Sequence, residues 1–347
     1  MSDISVYPVP RSPRLRVLLD GTTEIAPFYV DIAHTASGAA ATFSISLPIA
    51  RQPDLPMEFW LGVAQPEIQI QVALDSQSDY LELISGLCDT VHINPVGGIV
   101  RLQGRGRAAS LLDTKSSIVY QNRTSSEIAV DLASRHGLTP AVAATMGYVG
   151  RYYADETQVS SLVQFSKLAS DWDILVFLAQ QENFNLYVTG STLNFQPRGA
   201  AYQTPAEIAF GSLMELQISR TLSLSSGVDT VVQSWDSASQ THVAAFGRVG
   251  SSSSVSAAAR TYSFIKPNIT SQMADLLATQ IASDIFRNAI RLTITMPGTS
   301  DLIVGTPIRL IGLPTLLNQV FEIESIKRSF RAKSGFVQSI TAFQLAT

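Results

Sequence analysis

The sequence has little cysteine, little charge and no long hydrophobic run. Cys88 is the only cysteine among 347 residues, which excludes an intramolecular disulfide framework and a metal site made of several cysteines. Charged residues make up 15% of the chain, whereas about 25% is typical of soluble domains. We therefore expect a surface rich in uncharged polar side chains, or one that partner proteins partly cover.

The formal net charge of −4 gives no general basic field that would attract nucleic acid or acidic membranes. No segment approaches the roughly 18 apolar residues that a membrane helix needs, so no stable membrane insertion is predicted. Prolines and arginines interrupt the N-terminal region, where a signal peptide would need a continuous apolar segment. We expect no secretory leader, and the chain length favours two or more domains or one elaborated domain.

Alternating apolar residues predict strands at both ends of the chain. Between residue 15 and about 107 they occur in RLRVLLD, PFYVDIAH, ATFSISLPI, EIQIQVAL, YLELISGL and GIVRLQGR. From about residue 206 they return in AEIAFG, LMELQISRT and GVDTVVQSWD, and then in RLTITMPG, TPIRLIGL, QVFEIESIKRSF and FVQSITAFQL. Many short strands at this spacing are typical of barrels and sandwiches.

The middle of the chain reads as mixed α and β. In TSSEIAVDLASRHGL, Thr124 and Glu127 fit a capping box, and Gly137 stands where a helix commonly ends in a left-handed residue. AASLLDTK predicts a short helical turn, and TQVSSLVQFSKLAS predicts a second helix. The apolar residues that share one face of these two longer helices are Ile128, Ala129, Leu132 and Ala133, and then Leu162, Phe165 and Leu168.

Asp171 and Asp173 flank Trp172 in SDWDILVFLAQQENFNLYV, and a pair of carboxylates can indicate catalysis. Ser170 can cap a helix here, and both aspartates would then lie in its first turn, where the helix dipole favours each by about 0.3–1 kcal/mol. No histidine, glutamate or glycine cluster nearby in sequence completes a site. We interpret both as helix-start residues and Trp172 as a packing residue.

A hairpin should follow this helix, because Phe184, Leu186 and Val188 alternate with Asn185 and Tyr187 before the Thr-Gly turn at 189–190. Further on, the Ser-rich segment 249–260 has little to pack and is predicted to be a mobile loop. A long amphipathic helix then follows, with one face formed by Met273, Leu276, Leu277, Ile281 and Ile285.

No catalytic, cofactor-binding or metal-ligating residue is predicted, and no cofactor. The histidines His34, His92, His136 and His242 are far apart and form no ligand-spaced pair, so structural or surface roles are preferred. GRGR at 104–107 lacks the spacing of a phosphate loop and reads as a strand that ends before AASLL. Three arginines, Arg101, Arg105 and Arg107, could share one face of that strand and meet an acidic surface of a partner.

Two other functions stay open. Asp155 with Glu156, or Asp173 with Glu182, could act as the acid and base of a peptidoglycan-degrading enzyme, but such a pair needs a defined separation that sequence does not show. A carbohydrate-binding β-module would need clustered exposed aromatics. The three tryptophans are Trp60, Trp172 and Trp235, and Trp172 is expected to face a core.

Four stretches carry a family resemblance. They are GRGRAASLLDTKSS, TSSEIAVDLASRHGL, VSSLVQFSKLASDWDILVFLAQQENFNLYVTGSTLNFQP and LIVGTPIRLIGLPTLLNQVFEIESIKRSFRAKSGFVQSITAF. In order and spacing, the chain resembles the baseplate hub proteins of contractile-tailed bacteriophages, the late control D family. Relatives of that family include the N-terminal part of type VI secretion spike proteins. The chain departs from the family at Gly106 and Arg107, where an acidic residue usually follows Gly-Arg.

The resemblance implies a β-rich α+β fold with two tube-like β-barrel domains and α/β insertion domains. Its segments would be the first tube-like barrel at 1–112 and an α/β insertion at 113–205. The second barrel would combine 206–240 with 290–347, and a Ser-rich loop and helix insertion would occupy 241–289. Since the sequence stops at Thr347, we expect no appended needle or lysozyme domain.

The function implied is structural and not enzymatic. Such a hub would be a homotrimeric ring that adapts a hexameric tail tube, or a tube-initiator protein, to a trimeric central spike, and it would contact other baseplate proteins. It would line the channel through which DNA passes transiently, in a virion baseplate assembled in the host cytoplasm. A hub of a gene-transfer agent, a bacteriocin or a type VI-like system is the alternative within this class.

Overall fold

The computed structural model describes residues 12–36, 38–75, 79–115, 118, 120–149, 169–198, 204–224, 227–236, 240–250, 260–266, 271–313 and 319–345. The chain divides into two compact units. The first consists of 1–198, 295–305 and 324–339, and the second of 199–294, 306–323 and 340–347. The predicted second helix, at 157–170, lies almost wholly outside the described residues.

Most of the first unit is β structure, as predicted. Its strands are β1 Arg14–Leu19, β2 Thr23–Ile25, β3 Tyr29–Thr35, β4 Thr42–Pro48, β5 Glu67–Ala73, β6 Leu81–Asn94, β7 Ile99–Gly106, β8 Arg123–Thr124, β9 Thr139–Val142, β10 Tyr148–Val149, β11 Phe184–Thr189 and β12 Thr192–Pro197. Its helices are α1 Met57–Gly62, α2 Ala109–Asp113, α3 Ser125–Arg135 and α4 Asp171–Glu182. The short helix α1, which buries Trp60, has no counterpart in the sequence prediction.

The second unit contains β13 Ala206–Ala209, β14 Glu215–Arg220, β15 Val228–Asp236, β16 Thr241–Val249, β17 Arg260–Ile265, β19 Pro307–Ile311 and helix α5 Ser271–Phe286. Residues of β18 Ile290–Pro297, β20 Val320–Arg331 and β21 Gly335–Gln344 fall in both units. All the strands that the sequence predicted are therefore present. No described helix is both long and apolar enough to cross a membrane.

An antiparallel sheet organises the first unit. Its strands pair in the order β20, β3, β4, β7, β6, β5, β1, β2. Alternate residues of β3 and β5 are buried, as period-two patterning requires. The described pairings form an open path that does not return to β2. The β-rich fold is thus confirmed, whereas the described strands of this unit show no closed barrel.

A second core in the same unit holds α3 and α4 against the hairpin of β11 and β12. The capping box of Thr124 and Glu127 is present, all four predicted face residues of α3 are buried, and Gly137 has a φ of 67°. The hairpin prediction is confirmed as well. Its expected alternation is wrong at Asn185, which is buried between two buried apolar residues.

In the second unit, α5 packs closely on the sheet of β16, β15 and β17. Small residues allow this approach, because a Cβ on Gly247 would lie 2.3 Å from the Ala278 carbonyl oxygen. The Thr230 hydroxyl donates to the same oxygen over 2.6 Å. The buried positions of α5 include Ala274, Ala278 and Ala282.

Two sequence predictions for this unit need correction. The predicted apolar face of α5 is wrong at Leu276, which is 64% exposed, because the fully buried positions of the helix are alanines, with Leu277 and Ile281 packed beside them. Residues 241–249 and 260–265 lay within the predicted Ser-rich loop and helix insertion, but they form strands β16 and β17. Residues 251–259 of the predicted loop 249–260 lie outside the described residues.

Candidate functional site

Asp173 is a capping residue of α4. The Ser170 hydroxyl accepts the Asp173 backbone N–H over 3.2 Å, and the Asp173 carboxylate accepts the Ser170 backbone N–H over 2.9 Å. The backbone N–H groups of Ser170 and Asp173, which have no partner within the helix ladder, are therefore both satisfied. Asp171 and Asp173 both lie in the first turn of α4, which confirms their interpretation as helix-start residues.

Asp171 has a further role that the sequence analysis missed. Its Oδ2 lies 2.9 Å from Nε2 of His136, the residue that ends α3; the Asp171 side chain is buried and that of His136 is 9% exposed. This hydrogen bond connects the end of α3 to the start of α4. The partners are 35 residues apart and share no motif, so only the packing of the two helices brings them together.

We expect the two aspartates to differ in their contribution to stability. Asp173→Asn should lower the free energy of unfolding by at most about 1 kcal/mol, since asparagine still caps a helix. Asp171→Ala should lower it by about 1–3 kcal/mol, because the buried His136 nitrogen loses a partner. Urea unfolding of the two variants checks this order, with Asp171→Asn as the conservative control. Equal losses for Asp171→Ala and Asp173→Asn would contradict it.

Arg105 is the centre of an ion-pair cluster on the first sheet. Its guanidinium binds Asp89 at 2.8 Å and Asp113 at 2.9 Å, with two nitrogens on each carboxylate. The hydrogen bonds from Arg105 lower the pKa of Asp113, and the bonds to Asp89 and then to Asp113 raise the pKa of Arg105. Such bidentate pairs fix geometry as well as charge. These two ion pairs hold the C-terminal end of α2, at Asp113, against strands β6 and β7.

The other two arginines of the predicted set also have partners within the chain. Arg107 contacts Glu67 at 2.5 Å and donates from Nε to the Ser85 hydroxyl over 3.0 Å. Arg101 donates to the Ser46 hydroxyl over 3.4 Å. GRGR does end a strand before α2, as predicted. Since Arg105 and Arg107 already bind acidic side chains, contact with an acidic partner surface stays a prediction.

A groove of about 630 Å³ runs beside this cluster on the first sheet. Residues of strands β3, β4, β6, β7 and β20 line it. Most are small or polar, and the cations among them include Arg105, Lys327 and Arg331. Arg331 also lies over the Tyr29 ring, 5.0 Å from its centroid. The groove is therefore a mixed-charge surface, lined by the carboxylates Asp31 and Asp89 as well as by these cations.

On the opposite, core-facing side of β20 the structure buries Arg328 next to His34. The Arg328 guanidinium donates to the carbonyl oxygens of Thr299 and Leu302. Burial lowers the pKa of Arg328 to about 10. Burial, and then the charge of Arg328, lower the pKa of His34 to about 4, which a hydrogen bond to the Leu83 carbonyl partly offsets. His34 is therefore a neutral core residue, as the structural interpretation of the histidines predicted.

The remaining candidate acids and histidines form no site in the described part of the chain. Glu182 accepts a hydrogen bond from the Ser125 hydroxyl over 2.6 Å, and His92 and His242 are exposed on separate strands. Asp155 and Glu156 lie outside the described residues. Among the residues that the structure describes, no three His, Cys, Asp or Glu side chains are grouped as metal ligands.

Comparison with protein families gives one match. The model of the Alg8 N-terminal domain matches residues 66–318, more than half of the chain. The chain belongs to the Alg8 N-terminal domain family. This family is unrelated to the late control D family, so membership does not show the specific hub identity that the sequence implied. The Alg8 match begins just before β5 and leaves out β1–β4, β20 and β21.

No curated protein matches the sequence significantly. Solved structures do match its fold over nearly the whole chain. The 43 kDa tail protein of prophage MuSo2 from Shewanella oneidensis has a TM-score of 0.68 and 13% identity, covering 96% of this chain and 97% of its own. A tail protein from Neisseria meningitidis MC58 has a TM-score of 0.67 and 14% identity, with 96% of each chain covered.

A third similar structure is the E. coli c3393 protein, a component of the type VI secretion system. It has a TM-score of 0.60 and 12% identity, and the match covers 94% of this chain and 76% of that one. It is itself described as similar to the T4 bacteriophage tail proteins gp27 and gp5. At these identities the likeness establishes the fold, which is that of phage tail and type VI secretion proteins.

Proposed function

We propose that the chain is the structural hub of a contractile tail baseplate or of a related injection particle. One observation carries the proposal: the fold matches two phage tail proteins over 96–97% of both chains, with no large part of either left over. An enzyme that used this fold as a scaffold would need a site. Of the candidate acids, Asp171 and Glu182 instead connect α3 with α4, and Asp173 caps α4.

In the proposed assembly three copies form a ring. Each chain supplies two tube-like domains, from 1–112 and from 206–240 with 290–347, so the ring presents six similar edges to a hexameric tail tube or tube-initiator protein. The opposite side meets a trimeric central spike and other baseplate proteins. The insertions at 113–205 and 241–289 would lie outside the channel or toward the spike. The strands of the first sheet form an open path, and this supports a tube that is completed by sheets of neighbouring copies and not by one chain alone.

The ring would line a channel through which DNA passes transiently, in a baseplate assembled in the host cytoplasm. The net charge of −4 supports this role, because a channel should avoid the phosphate contacts that hold DNA in place. Arg105 is already neutralised by Asp89 and Asp113, and Arg107 is paired with Glu67. Phage, gene-transfer agent, bacteriocin and type VI-like particles all fit this proposal.

The mass of the chain's oligomer in purified particles tests the function. We expect three copies per ring by native mass spectrometry or image reconstruction. Six identical copies, or one, would contradict two tube-like domains per chain. Peptidoglycan hydrolysis by the purified chain, abolished by Asp173→Asn in a variant that still folds, would favour the enzyme instead.

A further inference from the structure

The outer side of the first sheet carries a regular arrangement of charges. Strands β20, β3, β4 and β7 lie side by side, and their registers connect three rows of residues that cross all four strands. Each of these residues alternates along its strand with one that faces the core, so all of them point to the outer side. We call this set the outer block. Its rows are Lys327, Ala33, Thr42 and Arg105; Ser329, Asp31, Ser44 and Gln103; and Arg331, Tyr29, Ser46 and Arg101.

Cations occupy the four corners of the outer block. Lys327 and Arg331 lie on β20, and Arg105 and Arg101 lie on β7. The two cations of one strand are four residues apart, or about 13 Å, and the two strands are three strand spacings apart, or about 14 Å. Residues of both strands line the groove of about 630 Å³, together with small or polar side chains of β3 and β4. The groove therefore has cations along two opposite sides.

Three of the four corner cations have no carboxylate partner in the part of the chain that the structure describes. Arg105 is the exception, because it binds two carboxylates. Arg331 and Arg101 donate to serine hydroxyls over 3.2 and 3.4 Å, and Lys327 forms no ion pair among the described residues. All three are exposed. The outer block thus presents unpaired positive charge on a chain whose net charge is −4.

The spacing of these cations suits separate carboxylates better than a nucleic acid. Duplex DNA carries one negative charge per about 1.7 Å of its axis. A polymer of that charge density would bring phosphates against Asp31 and Asp89, which also line the groove. No aromatic ring of the outer block is free to stack on a base, because Arg331 already covers the Tyr29 ring. A protein with carboxylates only at chosen positions avoids both problems.

The width of the groove fits one α-helix. A helix with its side chains is about 10–12 Å across, and the two columns of cations are about 14 Å apart. Small side chains between the columns, at Ala33, Thr42 and Ser44, allow the helix to approach the sheet closely. Acidic residues seven positions apart share one flank of a helix and are about 10.5 Å apart. The long side chains of lysine and arginine can cover the remaining distance to both carboxylates of a flank.

The described helices of this chain do not have the required acids. Those of α3 and α4 are engaged within the chain, as capping residues or in contacts between side chains. On α5, Asp275 and Asp284 are nine positions apart and so lie on opposite sides of the helix. The short helices α1 and α2 each carry a single acid, Glu58 and Asp113. A different protein is therefore favoured over a second copy.

We propose that the outer block binds an α-helix of another baseplate protein, which lies along the strands and carries acidic residues on both flanks. Its carboxylates pair with Lys327 and Arg331 on one side and with Arg101 on the other. The inference deepens the proposed function and rests on it, since the particle supplies the partner. Complementary charges of this kind set the register of an interface and exclude wrong partners.

Zero-length cross-linking in purified, assembled particles tests the contact. A carbodiimide activates a carboxylate, and a lysine amine within contact distance then forms an amide with it and releases the urea. We expect Lys327 to be joined to an aspartate or glutamate of another protein, which peptide mass spectrometry identifies. Lys327→Arg is the matched control, because it keeps the charge but has no primary amine. Particles with this variant should assemble normally and lack the link.

Charge reversal gives a second readout. The double variant Lys327→Glu with Arg331→Glu should lower the amount of the linked protein per particle by about tenfold, because like charges then face each other. Arg101→Glu should also lower it, although Arg101 lies on a different strand. Lys333→Glu, at an exposed position in the turn after β20, is the matched control and should leave the amount unchanged. Equal urea midpoints of the purified variants would show that the fold is retained.

Several outcomes would overturn the contact. They are a link from Lys327 to another copy of this chain, full modification of Lys327 by an amine reagent in the particle, and a loss of retained DNA on charge reversal with unchanged protein composition. If Lys327 gives no link, the amount of each protein in the charge-reversed particles decides. A trimeric ring with any of these results leaves the proposed function standing. A ring of another size would instead contradict the proposed function.

Discussion

Trp172→Ala is expected to lower the free energy of unfolding by about 3–5 kcal/mol, the usual loss for removing a fully buried aromatic side chain. Trp172 is 1% exposed and lies in the core between α3, α4 and the β11–β12 hairpin. Its indole Nε1 donates to the Gly38 carbonyl oxygen over 2.6 Å. The variant would thus leave a cavity and also an unpaired carbonyl at the loop after β3.

Trp172→Phe separates these two contributions. It keeps most of the apolar volume and removes the hydrogen bond to Gly38, so we expect a loss of about 1–2 kcal/mol. Trp235→Ala is the matched control, because Trp235 is exposed in the single chain and should change stability by no more than about 0.5 kcal/mol. Urea unfolding followed by circular dichroism measures all three. An unfolding midpoint of Trp172→Ala equal to that of Trp235→Ala would remove Trp172 from the core.

Local rules explain what the sequence could predict. The two longer helices of the first unit begin at capping boxes, Thr124 with Glu127 and Ser170 with Asp173, and both signals lie within four residues. Strands β3 and β5 alternate because one side of each is buried. In these elements the determinant of structure is a few neighbouring residues, and prediction and structure agree.

Non-local partners could not be predicted in the same way. The bond between Asp171 and His136 depends on how α3 meets α4, and Arg105 reaches Asp89 through a register that shifts at a bulge between Cys88 and Thr90. In α5 the large apolar residues suggested the buried face. The sheet comes so close at Gly247 that the positions facing it directly are alanines, and the buried face is centred on Ala274, Ala278 and Ala282 while Leu276 lies in solvent. Strand β16 was missed for a related reason, since Ala245 and Gly247 weaken its apolar pattern.

The pH dependence of stability should reveal His34. Burial, with a further contribution from the charge of Arg328, lowers its pKa from 6.5 to about 4. In the unfolded chain it regains an ordinary pKa of about 6.5. Above pH 6.5 both states are neutral and the folded state keeps its full stability. As the pH falls from 6.5 to 4, His34 becomes protonated in the unfolded chain but stays neutral in the folded chain. The free energy of unfolding therefore decreases.

The expected loss from this one group is about 3 kcal/mol, since each unit of pKa difference corresponds to about 1.4 kcal/mol. Carboxylates also titrate in this range, so the measured quantity is the difference between the wild type and His34→Gln. That difference should shift by about 3 kcal/mol between pH 7 and pH 4, in favour of the variant at low pH. His92→Gln, at an exposed strand position, should follow the wild type throughout. If His34→Gln lost stability on acidification as steeply as the wild type, His34 would have to accept its proton within the fold, and it would not be the neutral core residue that its burial indicates.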